Sequence, residues 1–367
     1  MQKVCRWGIL GAATIAQKNW AAIRNSSTGT LVAVASRDSS RAQAYIQRLQ
    51  QECPFPEIPL ACTYEELLAH TEIDAVYIPL PTALRAQWVI RAAQAGKHVL
   101  CEKPCALNAG QLQEMVHVCQ QHGVQFMDGV MFMHSQRLHA LREVLDEGSQ
   151  IGQIKRIAGQ FSFRAPDQFL TNDIRMSSRL EPHGCLGDLG WYLIRFAIWV
   201  MESKLPVQVS CRILSQQSRS DSPHVVPTEA TFDLLFDGGV SAGFYCSFLT
   251  ENQQFAHVSG THGNLLLDDF VLPYYGSKVD FRVTNDHFHV EGTRFNMENH
   301  VHRISVHEYS NNAPNAQETN LFRNFSEIVL SGKVDPYWPE ISLKTQVVLD
   351  ACLESARQHA ELVTISQ

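Results

Sequence analysis

The sequence predicts an α/β chain in which a doubly wound parallel sheet is followed by a region built on a mainly antiparallel sheet. Three observations carry this. Short apolar strands alternate with helical patterns from residue 3 to 128, as in repeated strand–helix–strand units. The first strand opens into a turn of small residues, Gly11-Ala12-Ala13-Thr14-Ile15-Ala16, and then a helix. Beyond residue 154, consecutive strands joined by tight turns replace the alternation. With 367 residues, 45% of them hydrophobic and 18% charged, the chain can fill two domains with a sizeable core. Their expected extents are 1–128 and 129–367.

Composition excludes several classes. A net charge of −7 leaves no basic footprint for nucleic acid. No run of ~18 apolar residues predicts a membrane span. The opening residues lead straight into a strand without the apolar region of a signal peptide, so a cytoplasmic protein is expected. The ten cysteines are dispersed, several sit in apolar segments (Cys101, Cys119, Cys211, Cys246, Cys352), and no Cys-x-x-Cys occurs. They read as free thiols in a reducing compartment. The pairs His117/His122 and His134/His139 are five apart and off one helical face, and His-Glu-x-x-His is absent, so no metal is expected.

The first strand, Lys3 to Leu10, runs into a variant of G-x-G-x-x-G with alanine at the second and third glycine places. Gly11, Ala12, Ala13, Thr14 and Ile15 are small or open enough for a pyrophosphate to approach the helix N-terminus. The second strand, Leu31 to Ala35, ends in Ser36-Arg37-Asp38. An acidic residue at this strand end would bond a ribose 2′-hydroxyl, whereas an arginine beside a hydroxyl suits a 2′-phosphate. Asp38 lies one place too late and instead caps the helix starting near Ser39. The expected cofactor is NADP in preference to NAD. Thr63-Tyr64-Glu65-Glu66 is a capping box. Strand 74–78 runs into Pro79-Leu80-Pro81-Thr82, a loop stiffened by two prolines on the nicotinamide side. After a helix from Ala83 to Ala95, strand His98–Cys101 ends in Glu102-Lys103-Pro104. Proline restricts the residue before it, so Lys103 is held at the carboxyl end of a strand, where ligands bind in open α/β sheets. A helix from Ala109 to His122 and strand 124–128 complete the alternation.

A helix from His134 to Asp146 and a strand from Ile154 to Phe163 open the second region. Strands are expected at 207–216, 230–237, 240–249, 254–260 and 264–268, with Asp237-Gly238-Gly239 as a hairpin turn. Residues 276–315 carry only weak strand signals, and Thr319–Leu330 and Ser342–His359 read as amphipathic helices. Between these strands a helix runs from Gly187 to Val200. Asp188 lies in its first turn, Tyr192 four residues on shares its face, and Arg195 falls near that face. Taken alone, Asp188 could simply complement the helix dipole and Tyr192 pack in the core. Phe163, Arg175 and His183 precede or begin this segment and are candidates to line an outer pocket. Arg175 either binds an acidic substituent or pairs with Asp173.

Three motifs carry a family resemblance: Trp7-Gly8-Ile9-Leu10-Gly11-Ala12-Ala13, Ile78-Pro79-Leu80-Pro81-Thr82, and Ala95-Gly96-Lys97-His98-Val99-Leu100-Cys101-Glu102-Lys103-Pro104. In that order and spacing the chain resembles the glucose–fructose oxidoreductase, inositol dehydrogenase and MocA (Gfo/Idh/MocA) family, nearest its plant-type members and the dihydrodiol and xylose dehydrogenases. One departure is that the loop often reads Pro-Asn-x-x-His in the family and is Pro81-Thr82-Ala83-Leu84-Arg85 here. The resemblance implies a Rossmann domain joined to an open, mainly antiparallel sheet, with C-terminal helices packing back on the first domain. It implies NAD(P)-linked chemistry on sugars, cyclitols and related cyclic alcohols. It also brings Lys103, Asp188 and Tyr192 into one site.

The expected mechanism follows from that grouping. Tyr192, its pKa lowered by Lys103, moves the proton that accompanies hydride transfer, and Lys103 polarises the carbonyl oxygen. Asp188 orients the substrate or the lysine. The opposite assignment makes lysine the proton carrier and tyrosine a binder. Glu102 reads as structural, with the ribose as its alternative partner. A rival reading is a dihydrodiol dehydrogenase for a more apolar diol, favoured by Phe163, Phe169 and Trp191. A second rival is a non-catalytic NADP-binding regulator, against which the presence of both Lys103 and Tyr192 argues. An open sheet would leave an exposed face, so a homodimer or higher oligomer through that sheet is expected.

Overall fold

Parallel pairing organises the first third of the chain. The computed structural model describes residues 3–365. Its first strands are β1 (Cys5–Leu10), β2 (Gly29–Ala35), β3 (Leu60–Cys62), β4 (Ala75–Ile78), β5 (His98–Cys101) and β6 (Phe126–Asp128). Helices α1 (Ile15–Asn25), α2 (Ser39–Glu52), α3 (Tyr64–Ala69), α4 (Thr82–Gln94) and α5 (Ala109–Gln121) connect them. The strand order is β3-β2-β1-β4-β5-β6. It reverses between β1 and β4, which opens a crevice at their carboxyl ends. β4 is buried along its whole length, as a strand covered on both faces must be. Local chemistry sets the helix ends. Asp38 accepts from Ser40 N at 2.9 Å to cap α2, Thr63 and Glu66 form the expected capping box on α3, and Gly96 adopts φ +71° after α4.

The second region begins with a 3₁₀ turn at Met131–His134, so α6 (Arg137–Glu147) starts three residues later than the sequence pattern indicates. The remaining strands are β7 (Ile154–Ser162), β8 (Gln208–Gln217), β9 (Val226–Leu235), β10 (Ser241–Ser247), β11 (Gln253–Gly260), β12 (Asn264–Leu267), β13 (Val279–Glu291), β14 (Arg294–Val306) and β15 (Val363–Thr364). They form one sheet in the order β14-β13-β12-β11-β7-β10-β9-β8-β15. Among the described residues, β7 and β10 are the only two of these strands that pair with each other in parallel. The weakly patterned stretch is therefore the longest hairpin, with two 13-residue strands. Residues 286–303 are exposed, and a strand pair with no buried face has no reason to alternate polar and apolar residues.

Between the strands lie α7 (Asp167–Asn172) and α8 (Trp191–Val200), the latter preceded by a π-helical turn at Leu186–Gly190. A π turn holds extra residues per revolution and shifts the faces of the helix that follows. As a result Arg195 is not on the face of Asp188. It is fully buried and bonds Asp128 Oδ2 at 2.6 Å and Thr345 Oγ1 at 2.8 Å. Helices α9 (Gln317–Ser331) and α10 (Tyr337–Arg357) pack back on the first sheet. Trp7 donates to Ser326 Oγ at 3.1 Å, and Asp350 accepts from Ala109 N at 2.6 Å. All ten cysteines are free thiols. Among the described residues no helix is long and apolar enough to cross a membrane, and no group of three or more His, Cys, Asp or Glu side chains could hold a metal ion.

Candidate active site

The turn between β1 and α1 forms the floor of the crevice. Gly11 adopts φ +133°, and a Cβ there would lie 3.0 Å from Leu80 Cδ2, so the first turn rests directly on the Pro79–Leu80 loop. Ala12 and Ala13 are half-buried, and Thr14 and Ile15 are exposed at the start of α1. No side chain caps α1; Ala16 N and Gln17 N donate to Ala13 O and Thr14 O at 3.1 Å, and the positive end of the helix faces the turn where an anion would sit. At the end of β2, Ser36 is buried and Arg37 is exposed. Asp38 is committed to Ser40 N. Arg41 reaches Ala12 O at 3.3 Å and brings a second cation to the same corner. Sequence reasoning missed it. The signal was the cap itself, since an N-cap at Asp38 makes Arg41 the third residue of α2, in the first turn above the strand end. These groups fit a dinucleotide carrying a 2′-phosphate.

Three expected cofactor or substrate contacts are corrected or redirected. Pro79 and Leu80 are buried and Pro81 is half-buried, but Thr82 does not face the crevice. It is fully buried: its hydroxyl donates to Glu181 Oε2 at 2.5 Å and accepts from Arg85 at 2.9 Å, and its N–H donates to Glu181 Oε1 at 2.8 Å. Glu102 accepts from Tyr77 Oη at 2.6 Å and from Lys103 N at 3.2 Å, an interior role. His183 is buried and pairs with Leu107 O at 3.0 Å through Nε2. Gly187, where a Cβ would lie 2.6 Å from His183 Cβ, packs against it, so the ring sits behind the Lys103–Pro104 turn. Burial pushes its pKa down.

Four side chains converge at the mouth. Lys103 Nζ lies 2.6 Å from Asp188 Oδ1 and 2.8 Å from Asp188 O. It stands 4.6 Å from the Tyr192 ring centroid, a cation over a π face. Arg175 Nε lies 2.9 Å from Asp188 Oδ2 and its Nη1 3.2 Å from Asp173 Oδ1. Arg175 thus pairs with both acids. Burial pushes the Asp188 carboxyl up, but the Arg175 and Lys103 cations outweigh it and hold it down at about 2. Asp188 in turn raises Arg175 further.

Tyr192 is the main correction. Its pKa is raised well above 10, first by burial and then by the charges of Glu102 and Asp188. The ammonium lies over the ring and donates to Asp188, so it does not lower the phenol. The tyrosine packs between Phe132 and Phe161, at centroid distances of 6.1 and 5.6 Å. Phe163 is half-buried beside Phe169 and Phe248, at 5.4 and 5.3 Å. Trp191 is fully buried and donates to Asp128 Oδ2 at 3.2 Å, so it does not line the pocket.

Comparison with known proteins agrees with this architecture. Residues 5–130 match the family model described as an oxidoreductase family with an NAD-binding Rossmann fold, and residues 138–266 match the GFO/IDH/MocA C-terminal domain. The chain is 35% identical over 262 residues to a D-xylose 1-dehydrogenase (NADP(+)) of Haloferax volcanii, covering 71% of this chain and 74% of that protein. It is 32% identical over 265 residues to trans-1,2-dihydrobenzene-1,2-diol dehydrogenase of Mus musculus, covering 70% and 73%. Among solved structures, KijD10, a 3-ketoreductase from Actinomadura kijaniata in complex with NADP and TDP-benzene, superposes with a TM-score of 0.80 at 25% identity, over 96% of this chain and 98% of that one.

Proposed function

The chain belongs to the Gfo/Idh/MocA oxidoreductase family, and from that premise we propose that it is an NADP-dependent enzyme. The reaction is hydride transfer between nicotinamide and the C–OH or C=O carbon of a sugar, cyclitol or related cyclic polyol. The observation that carries this reading is the Lys103–Asp188 pair, 2.6 Å apart at the carboxyl end of β5, with Tyr192 beside it. Arg37 and Arg41 at the end of β2 support the 2′-phosphate, and so do relatives named for NADP.

Bound NADP(H) supplies or accepts the hydride. The protein must then stabilise charge on the substrate oxygen and move one proton. Lys103 spends two of its three N–H donors on Asp188, which leaves one for the substrate oxygen. Asp188 fixes the ammonium in place. The phenol of Tyr192, held neutral by burial, serves as the proton donor in the direction of reduction. Arg175 closes the outer side and meets a polar substituent of the substrate.

Fluorescence titration with NADPH and NADH, followed by a panel of sugars, cyclitols and diols read at the nicotinamide absorbance, tests the reading. NADPH is expected to bind more tightly, with turnover of at least one polyol. Failure to bind either nucleotide would sink it. A second reading, a dihydrodiol-type dehydrogenase, is favoured by the Phe163, Phe169 and Phe248 cluster. Turnover restricted to the apolar diols of the panel would select it. We further infer assembly as a homodimer or higher oligomer through the second sheet. Phe288, Val290, Phe295 and Met297, each more than half exposed near the tip of the long hairpin, support a second copy as the cover.

A further inference from the structure

We propose that Arg85 is a positioning residue of the active site, acting through Pro104 and Glu181 to set where Lys103 stands relative to Asp188. The inference rests on the proposed role of Lys103. Arg85 lies in the first turn of α4 and is only 5% exposed. Its Nε donates to Leu80 O at 2.7 Å, and its Nη1 donates to Thr82 Oγ1 at 2.9 Å and to Pro104 O. Its Nη2 lies 3.7 Å from Glu181 Oε1. Glu181 also receives the N–H and hydroxyl of Thr82, and Leu180 O accepts from Ala83 N at 3.1 Å.

One buried guanidinium therefore ties together three loops, and each loop borders the crevice. The first, 79–82, supports Gly11 through Leu80. The second holds Lys103 one residue before the carbonyl that Arg85 grips. The third runs from Leu180 and Glu181 through seven more residues to Asp188. A planar fork of five donors reaches acceptors on three loops at once, whereas an ammonium offers three donors from one atom and an amide two. Glu181, 3.7 Å from Nη2, compensates the buried charge. Small errors in the separation of catalytic groups cost rate steeply, by about 100-fold for 1 Å. A clamp at the root of the Lys103 loop is placed to prevent them.

The test reads Lys103 directly and needs no substrate. Wild type and Arg85→Gln, both checked for folding by circular dichroism, are pulsed with acetic anhydride, and each lysine is quantified by peptide mass spectrometry. Lys103 is expected to label about tenfold faster in the variant, the change produced by losing ~1.4 kcal/mol of pairing. Exposed Lys204 and buried Lys97 are the references and are expected to stay constant. In Arg85→Ala, guanidinium ion at concentrations too low to unfold the chain is expected to slow Lys103 labelling towards wild type. Unchanged labelling of Lys103 in the folded variant would overturn the proposal, and so would an equal rise at Lys97, which marks general loosening. If Arg85→Gln does not fold, Thr82→Val removes one acceptor of the clamp and is expected to raise Lys103 labelling alone; no rise overturns it. NADPH titration of the wild type fails only if the proposed function fails, so the two failures are told apart.

Discussion

Asp188 is the residue on which the site balances. Its two oxygens face two cations, Lys103 and Arg175, and its carboxyl is held at about 2, below the ~3.9 of an unfolded chain. A depressed folded pKa contributes stability above the unfolded value, and that contribution is lost as pH falls through the folded one. The stability gap between wild type and Asp188→Asn, measured by urea unfolding, is therefore expected to be about 2 kcal/mol and constant from pH 7 to 5. It should narrow between about pH 4 and 2; a gap that persists to pH 2 would mean that ion pairing is not its source. At the same scale, Tyr192→Phe is expected to cut turnover by about 100-fold on the substrate identified in the panel, while NADPH affinity stays unchanged. A tenfold loss of NADPH affinity instead would make Tyr192 a binder. Lys103, Asp188 and the spacing to Tyr192 were legible in the sequence. The direction of the Tyr192 shift was not, because it is set first by burial and then by the charges of Glu102 and Asp188, which only packing brings together.

At the scale of elements, the end of β2 and the first turn of α2 act together. Asp38 spends its carboxylate on the cap and so fixes the turn that carries Arg41. Charge-assisted contacts to a phosphate are strong, so the double variant Arg37→Ala/Arg41→Ala is expected to weaken NADPH binding at least about tenfold and leave NADH within about twofold. Equal weakening of both nucleotides would show that the arginines support the turn and do not read the 2′-phosphate. The strand end, the cap and Arg37 could be read from local pattern. The place of Arg41 in the capped first turn was readable too, but its contact with Ala12 and the inward turn of Thr82 onto Glu181 were not, since each depends on a partner on another element.

The whole molecule is joined by buried polar contacts between its two sheets. Asp128, at the end of β6, and Arg195, on α8, are both fully buried and meet at 2.6 Å. Breaking such a pair strands a charge, so Arg195→Met is expected to lower stability by about 3–5 kcal/mol in urea unfolding. The double variant with Asp128→Asn is expected to recover part of that loss; full additivity would show that the two residues act separately. The hairpin of β13 and β14 belongs to this scale as well. Its exposed apolar residues are expected to be covered by a second copy, and sedimentation of Val290→Asp/Phe295→Asp should show a smaller species than wild type. An unchanged mass would place the interface elsewhere.

The sequence by itself determined the layers of this protein: the parallel order of short strands, the small-residue turn, the caps at Asp38 and Thr63, and Lys103 at a strand end. These are local or periodic features, set by backbone geometry and by the alternation of apolar residues. Tertiary structure alone decided which polar groups meet. The π turn at Leu186–Gly190 placed Arg195 with Asp128 and away from the site, and Arg85 gathered loops about 20 and 100 residues distant. The outer part of the hairpin, 286–303, was held by cross-strand pairing that leaves no periodic trace when neither face is buried. Partners distant along the chain are chosen by packing, and no local pattern encodes that choice.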